Sequence, residues 1–167
     1  ILINNLIHTQ ANTIDETSTN GNALSKYISK QVVLADGMDA EDFKVYIAAY
    51  QPQGTNLQVY GKFLHREDPD SFIEKSWTLL ERETVPSVYS TTSNRNDIRE
   101  FVYKVPSTNA IATSAYVDPV SGIRYTNKDG VLFEEYKTFA VKIVFQSDVG
   151  PHIVPIVSDM RAIALQL

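Results

Sequence analysis

The chain has 167 residues, 43% hydrophobic and 21% charged, with 15 basic against 20 acidic side chains and a net charge of −5. That length suffices for one domain with a sizeable core, and the acidic balance argues against the basic footprint that nucleic acid requires. The lack of cysteine removes disulfides, thiolate nucleophiles and sulfur-ligated zinc, and no apolar run approaches the ~18 residues of a membrane-spanning helix.

The opening residue is Ile1 rather than methionine, and the expectation is a piece of a longer polypeptide. Residues 1–7 (ILINNLI) form a short apolar run. Residues 8–26 are dense in Thr, Asn and Ser without periodicity, so they offer little apolar surface to offset their ordering entropy. The expected organisation is a polar arm or linker over 1–25 and one folded domain over 26–167.

From Lys26 onward the apolar pattern has a period of two, the signature of half-buried strands. Segment 27–34 is a weak example. In 43–50 (FKVYIAAY), Phe43, Val45, Ile47 and Ala49 share the apolar face, opposite Lys44, Tyr46, Ala48 and Tyr50. In 57–64 (LQVYGKFL), Leu57, Val59, Gly61 and Phe63 point one way, and Gln58, Tyr60 and Lys62 the other. The link 51–56, with Pro52 and Gly54, predicts a hairpin between these two strands. Its registers pair Tyr46 with Tyr60 or with Lys62. The first sets Lys44 against Lys62, a like-charge cost that favours the second.

Helix is scarce. Asp68-Pro69-Asp70-Ser71 ahead of 72–77 supplies a cap and a first-turn proline, and 39–42 (DAED) offers a second short turn. Trp77 is expected in the core. A further weak strand covers 98–105, and the turn formers at 118–122 and 127–130 predict a small hairpin excursion within 106–137. Segment 138–146 gathers Phe139, Val141, Ile143 and Phe145 on one face, opposite Ala140, Lys142 and Gln146. Pro151 and Pro155 break any continuous strand through 150–156. In 161–167, Ile163, Leu165 and Leu167 form the apolar face. Ala162, Ala164 and Gln166 form a small, neutral face suited to packing against another sheet or subunit. Alternating wet and dry faces predict an all-β fold, an antiparallel β-sandwich of jelly-roll-like character with one or two short helical turns.

Chemistry-bearing motifs are sparse. His8, His65 and His152 have no metal-pair spacing, and neither a nucleophile elbow nor a zinc-protease motif is present. The acidic groups Asp36/Asp39/Glu41/Asp42 and Glu67/Asp68/Asp70 lack the alternating order of a calcium loop, and capping or solvation accounts for them. The expectation is therefore no enzyme, no catalytic residue, no metal and no cofactor. Tyr46, Tyr50 and Tyr60, on the outward face of the predicted hairpin, form a candidate platform for a sugar or a protein partner.

Three phrases recur in order: KYISKQVVLADGMDAEDFKVYIAAYQPQGTNLQVYGKFL (26–64), SFIEKSW (71–77) and FAVKIVFQSDVGPHIVPIVSDMRAIAL (139–165). Their order resembles a domain of virion structural proteins in the tails and baseplates of tailed, especially contractile-tailed, bacteriophages. Residues 78–137 show little that matches. The resemblance implies a carboxyl-terminal β-sandwich in the virion. It implies assembly through contacts with other virion structural proteins and with further copies of itself, and it carries over no catalytic residue. The expected interaction surface comprises Tyr46, Tyr50, Tyr60, Ala162, Ala164 and Gln166, without nucleic acid or membrane. A carbohydrate- or host-receptor-binding module, with a glycan as partner, is the alternative.

Overall fold

The computed structural model describes residues 23, 25–83, 89–106, 108–109, 119–120, 122–149 and 152–166. The strands in chain order are β1 (Lys26–Ile28), β2 (Val32–Val33), β3 (Asp42–Tyr50), β4 (Thr55–Leu64), β5 (Thr78–Leu79), β6 (Glu81–Arg82), β7 (Arg99–Lys104), β8 (Thr108–Asn109), β9 (Pro119–Val120), β10 (Tyr125–Thr126), β11 (Leu132–Phe133), β12 (Thr138–Ser147) and β13 (Ile156–Leu165). Among the described residues one 3-10 turn, Phe72–Glu74, is the only helix, so none is long and apolar enough to cross a membrane. The second turn expected over 39–42 does not form, because Ala40 bridges Tyr136 and Asp42 begins β3. Most of the arm expected over 1–25 lies outside the described residues. Of its last residues, Ala23 is buried and the Ser25 carbonyl accepts the Phe145 N–H at 3.1 Å.

Two antiparallel sheets form a β-sandwich. The first has the order β1-β12-β4-β5, with β2 also on β12, and the second the order β13-β3-β7-β6. Phe43, Val45 and Ile47 of β3 meet Leu57 and Val59 of β4 and Val141 and Ile143 of β12 in one core. The faces expected for β3, β4 and β12 are thus the inner faces. Phe43 is the hub, with its ring 5.2 Å from Phe63, 5.0 Å from Phe139 and 6.0 Å from Tyr136. The Tyr136 hydroxyl donates to the Asp42 carbonyl at 2.9 Å, so the ring is buried without stranding its polar end. Gly61 is required beneath Phe63: a Cβ there would lie 2.4 Å from the ring.

The hairpin expected between 43–50 and 57–64 is corrected. β3 lies in the second sheet and β4 in the first, so the 51–56 link carries the chain across the sandwich. Gln51 exchanges bonds with Ser90, its N–H donating to Ser90 Oγ at 3.0 Å and its carbonyl accepting the Ser90 N–H at 2.9 Å. Ser90 thus holds the residue after β3, and both edges of β3 are occupied by β13 and β7, so the chain cannot fold back beside it. β4 pairs with β12 over ten residues, Thr55↔Ser147 to Leu64↔Thr138, and β3 with β13 and β7. Lys44 stands opposite Lys104, but Glu83 reaches Lys44 at 3.4 Å and Glu81 sits opposite Lys104, which offsets the like charges.

The outer face of the first sheet is also dry. Lys62, Lys142 and Gln146 are buried there, and Tyr60, Val144 and Ala23 form a second small cluster with Trp77 packed on it. Trp77, expected in the core, is a roof on this outer face. Lysine stems cover apolar surface well, and the ammonium groups face rings: Lys62 Nζ lies 4.8 Å from Trp77, and Lys142 Nζ 4.4 Å from Tyr60 and 5.0 Å from Trp77. Burial and the nearby Lys142 hold the Lys62 ammonium below the usual lysine range.

The small face of the terminal strand packs against the other sheet, as its side chains suit, and the Ile163 face is the outer one. Register with β3 sets this parity, with Ala162 opposite Val45 and Ala164 opposite Phe43. Opposed residues share a face in an antiparallel pair, and that parity outweighs the larger side chains' preference for burial.

Candidate functional site

Three places concentrate polar or apolar groups. The first is a cleft of about 260 Å³ lined in part by Phe63, Asp70, Lys75, Tyr125 and Lys128. The β10–β11 ladder is turned by Asn127–Gly130: Asn127 Oδ1 accepts the Asp129 and Val131 N–H groups at 3.0 and 2.8 Å, and Gly130 has φ 81°. This ladder stands over the segment that follows β4. Lys75 Nζ lies 2.5 Å from Asp68 and 2.6 Å from Asp70. Tyr125 donates to Asp68 at 2.8 Å and accepts the His65 N–H at 2.7 Å. Burial raises the Asp68 carboxyl, yet bonds from Lys75, the Asp70 N–H and Tyr125 outweigh it and hold the group below its ordinary value. Lys75 holds Asp70 down as well, and the two carboxylates keep Lys75 above the lysine range against its own burial. Burial likewise drives the Tyr125 phenol well above the usual tyrosine range.

In this arrangement the protein places its own ammonium between two carboxylates of the acidic group 67–70. The negative charge a cation needs is already answered. The Asp68 carboxyl accepts bonds on both oxygens, so the network fixes a loop and presents no activated acid or base.

The second place gathers Asp39, His65 and Glu135, whose candidate ligand atoms lie within 4.8 Å of one another. No sequence signal marks this group, because the three residues come from separate segments. Asp39 is buried and pairs with the Arg66 guanidinium through Oδ2, while Oδ1 has no hydrogen-bond partner among the described residues. His65 stacks on Phe133 at 4.7 Å, and its Nδ1 accepts the Glu67 N–H at 3.1 Å. A neutral imidazole bonded in this way carries its proton on Nε2 and offers no free lone pair. Arg66 already answers the charge of the one buried carboxylate, and the His65 Nδ1 lone pair is already taken by the Glu67 N–H.

The sequence-selected tyrosines do not share a surface. Tyr60 is buried under Trp77 on the first sheet, and Tyr50 is buried at the end of β3. Tyr46 lies on the outer face of the second sheet, its ring 5.3 Å from the Arg161 guanidinium, and that guanidinium also pairs with Glu100. The expected platform depends on the hairpin and is dispersed with it. Ala162 and Ala164 pack inward, and Gln166 Nε2 donates to the Asp39 carbonyl at 3.0 Å. His152 is exposed, and His8 lies outside the described residues.

The third place is the side of the sandwich where β1, β2 and β13 lie at the margins of the two sheets. Tyr27, Ile28, Val32 and Val33 are all more than 40% exposed there, and Ile156 and Ile163 are 37% and 39% exposed on β13. Between the sheets on this side opens a cleft of about 380 Å³, lined by Tyr27, Ile143, Phe145, Val157 and Met160 among others. Exposed apolar residues grouped along sheet margins mark surfaces that meet another molecule. No protein-family model, curated protein or solved structure matches this chain.

Proposed function

We propose that this domain is a structural module of a bacteriophage tail or baseplate protein, acting in virion assembly through protein–protein contacts. The observation that carries the reading is the division of its surface. The charged groups of the polar cleft neutralise one another, whereas apolar exposure gathers along the β1, β2 and β13 margin. A catalyst keeps perturbed, unsatisfied groups in its cleft; here Asp68, Asp70 and Lys75 answer one another. The ordered phrases over 26–64, 71–77 and 139–165 support placement among virion proteins. A stiff two-sheet body with an apolar margin suits a brick repeated in a symmetric array. Deleting the segment from the phage that encodes it should leave particles with missing density or a block in assembly, seen by electron microscopy. Intact, infectious particles would overturn the reading.

A further inference from the structure

β13 is the outermost strand of the second sheet and, among the described residues, pairs only with β3. It runs ten residues, Ile156–Leu165, without proline or lysine, and the two charges it carries, Asp159 and Arg161, are of opposite sign. Its bulge falls between Val157, which faces Ala49, and Asp159, which faces Ala48, so Ser158 is the extra residue. Ser158 Oγ fastens it by donating to the Ala48 carbonyl at 3.0 Å. With Ser158 set aside, Val157, Met160, Ala162 and Ala164 face the core, while Ile156, Asp159, Arg161 and Ile163 face out.

We infer that this edge pairs with the same edge of a second copy, antiparallel, about a two-fold axis through Met160. The inference rests on the assembly reading above and names its partner. Opposed residues must share a face, so each candidate axis passes through one residue. An axis at Asp159 sets two carboxylates face to face, and one at Arg161 two guanidinium groups. An axis at Ala162 sets both charges against apolar side chains. Of these four, only the axis at Met160 sets neither charge against a like charge or an apolar side chain. Asp159 meets Arg161 of the second copy twice by symmetry, Ile156 meets Ile163 on the same outer face, and Val157 meets Ala162 on the inner one.

The side chains are placed for this. Asp159 and Arg161 are 64% and 57% exposed and only 3.8 Å apart within one chain, a loose contact. Arg161 keeps donors to spare beyond Glu100, because a guanidinium has five. Met160 lines the cleft between the sheets, so the axis brings a second apolar methionine to its mouth. The product is a continuous eight-stranded sheet built from two copies of the second sheet.

The test is sedimentation of the purified 167-residue chain and of two variants, Asp159→Arg and Arg161→Asp. All three carry Glu100→Gln, so that the change at 161 does not set two carboxylates together. The parent chain should form a dimer. Each variant alone opposes like charges twice and should weaken dimerisation by about tenfold or more. Mixed one to one, the variants bring a chain with two guanidinium groups at these positions against a chain with two carboxylates. Both cross-strand contacts are then of opposite sign, and a heterodimer should form at the parent's affinity. A parent chain that stays monomeric at its solubility limit overturns the inference, as does a dimer insensitive to both variants or a mixture that fails to recover. A monomeric chain still found in purified virions would refute this pairing while leaving the assembly role in place.

Discussion

Replacing Lys75 with methionine keeps most of the side chain's length and apolar stem and removes the charge between Asp68 and Asp70. The Asp68 side chain is fully buried and that of Lys75 nearly so, at 0% and 8% exposure. Removing one partner of a buried ion pair costs about 3–5 kcal/mol, because the other charge is left without an answer. Here Asp68 retains the Tyr125 hydroxyl at 2.8 Å and the Asp70 N–H at 3.0 Å, and an adjacent cleft admits water. The lower bound, about 3 kcal/mol, is therefore expected. For a chain of this size it lowers Tm by about 6–12 °C. The sign with pH follows from the depressed carboxyls. The native pair contributes its stability above the ordinary aspartate pKa of about 4 and loses it as pH falls through the lower folded values. Lys75→Met should therefore flatten the acid limb of the stability curve. Urea unfolding followed by Trp77 fluorescence, with Asp68→Asn and the double variant, completes a thermodynamic cycle. A coupling of about 1.5 kcal/mol or more is expected, since removing the carboxylate charge relieves the orphan. A loss under about 1 kcal/mol in the single variant, or additive losses, would refute the claim that this network depends on mutual neutralisation.

Gly54 has φ 83° and its absent Cβ would lie 2.3 Å from Val149 Cγ1. Gly54→Ala should destabilise by about 1–3 kcal/mol, and adding Val149→Ala should recover the steric part alone, leaving the backbone part visible in thermal melts. Alkaline titration followed by tyrosinate absorbance should show the phenols of Tyr103, Tyr125 and Tyr136 ionising late. Burial pushes Tyr103 up to about 12 and the other two higher still. Because these folded values exceed the unfolded one of about 10, the unfolded chain loses its phenol protons first, and stability should fall as pH rises above about 10 toward the folded values. A single uniform tyrosine transition near the ordinary value of about 10 would contradict the burial described.

The inner faces of β3, β4 and β12 were legible because alternation depends only on neighbouring residues: Phe43, Val45 and Ile47 announce their side without knowledge of a partner. Which strands pair is a long-range matter. A turn such as 51–56 looks the same whether it folds back in one sheet or crosses to the other, and the competing claim of Ser90 on Gln51 lies 39 residues away. The dry outer face of the first sheet was hidden because Lys62 and Lys142 carry charges that ordinarily mark solvent, whereas here their stems and ammonium groups pack against rings. In β13 the small face of Ala162 and Ala164 was legible as a packing face, but nothing local showed that the larger Ile163 would point out, because register with β3 sets that parity. In the polar cleft, half the pattern was visible: Asp68 and Asp70 stood out as an acidic pair, but nothing local tied Lys75 to them. Asp39, His65 and Glu135 meet only through tertiary structure.

The crossing link between β3 and β4 also has a consequence in time. The long ladders join Thr55–Leu64 to Thr138–Ser147 and Asp42–Tyr50 to Ile156–Leu165, so each early strand waits for one near the end of the chain. Closing such distant pairs is slow, because the entropy of a long loop is lost before any contact repays it. On the ribosome, β3 and β4 find only β7 and β5 before their long partners emerge, and the two sheets cannot be completed until β12 and β13 have left the exit tunnel.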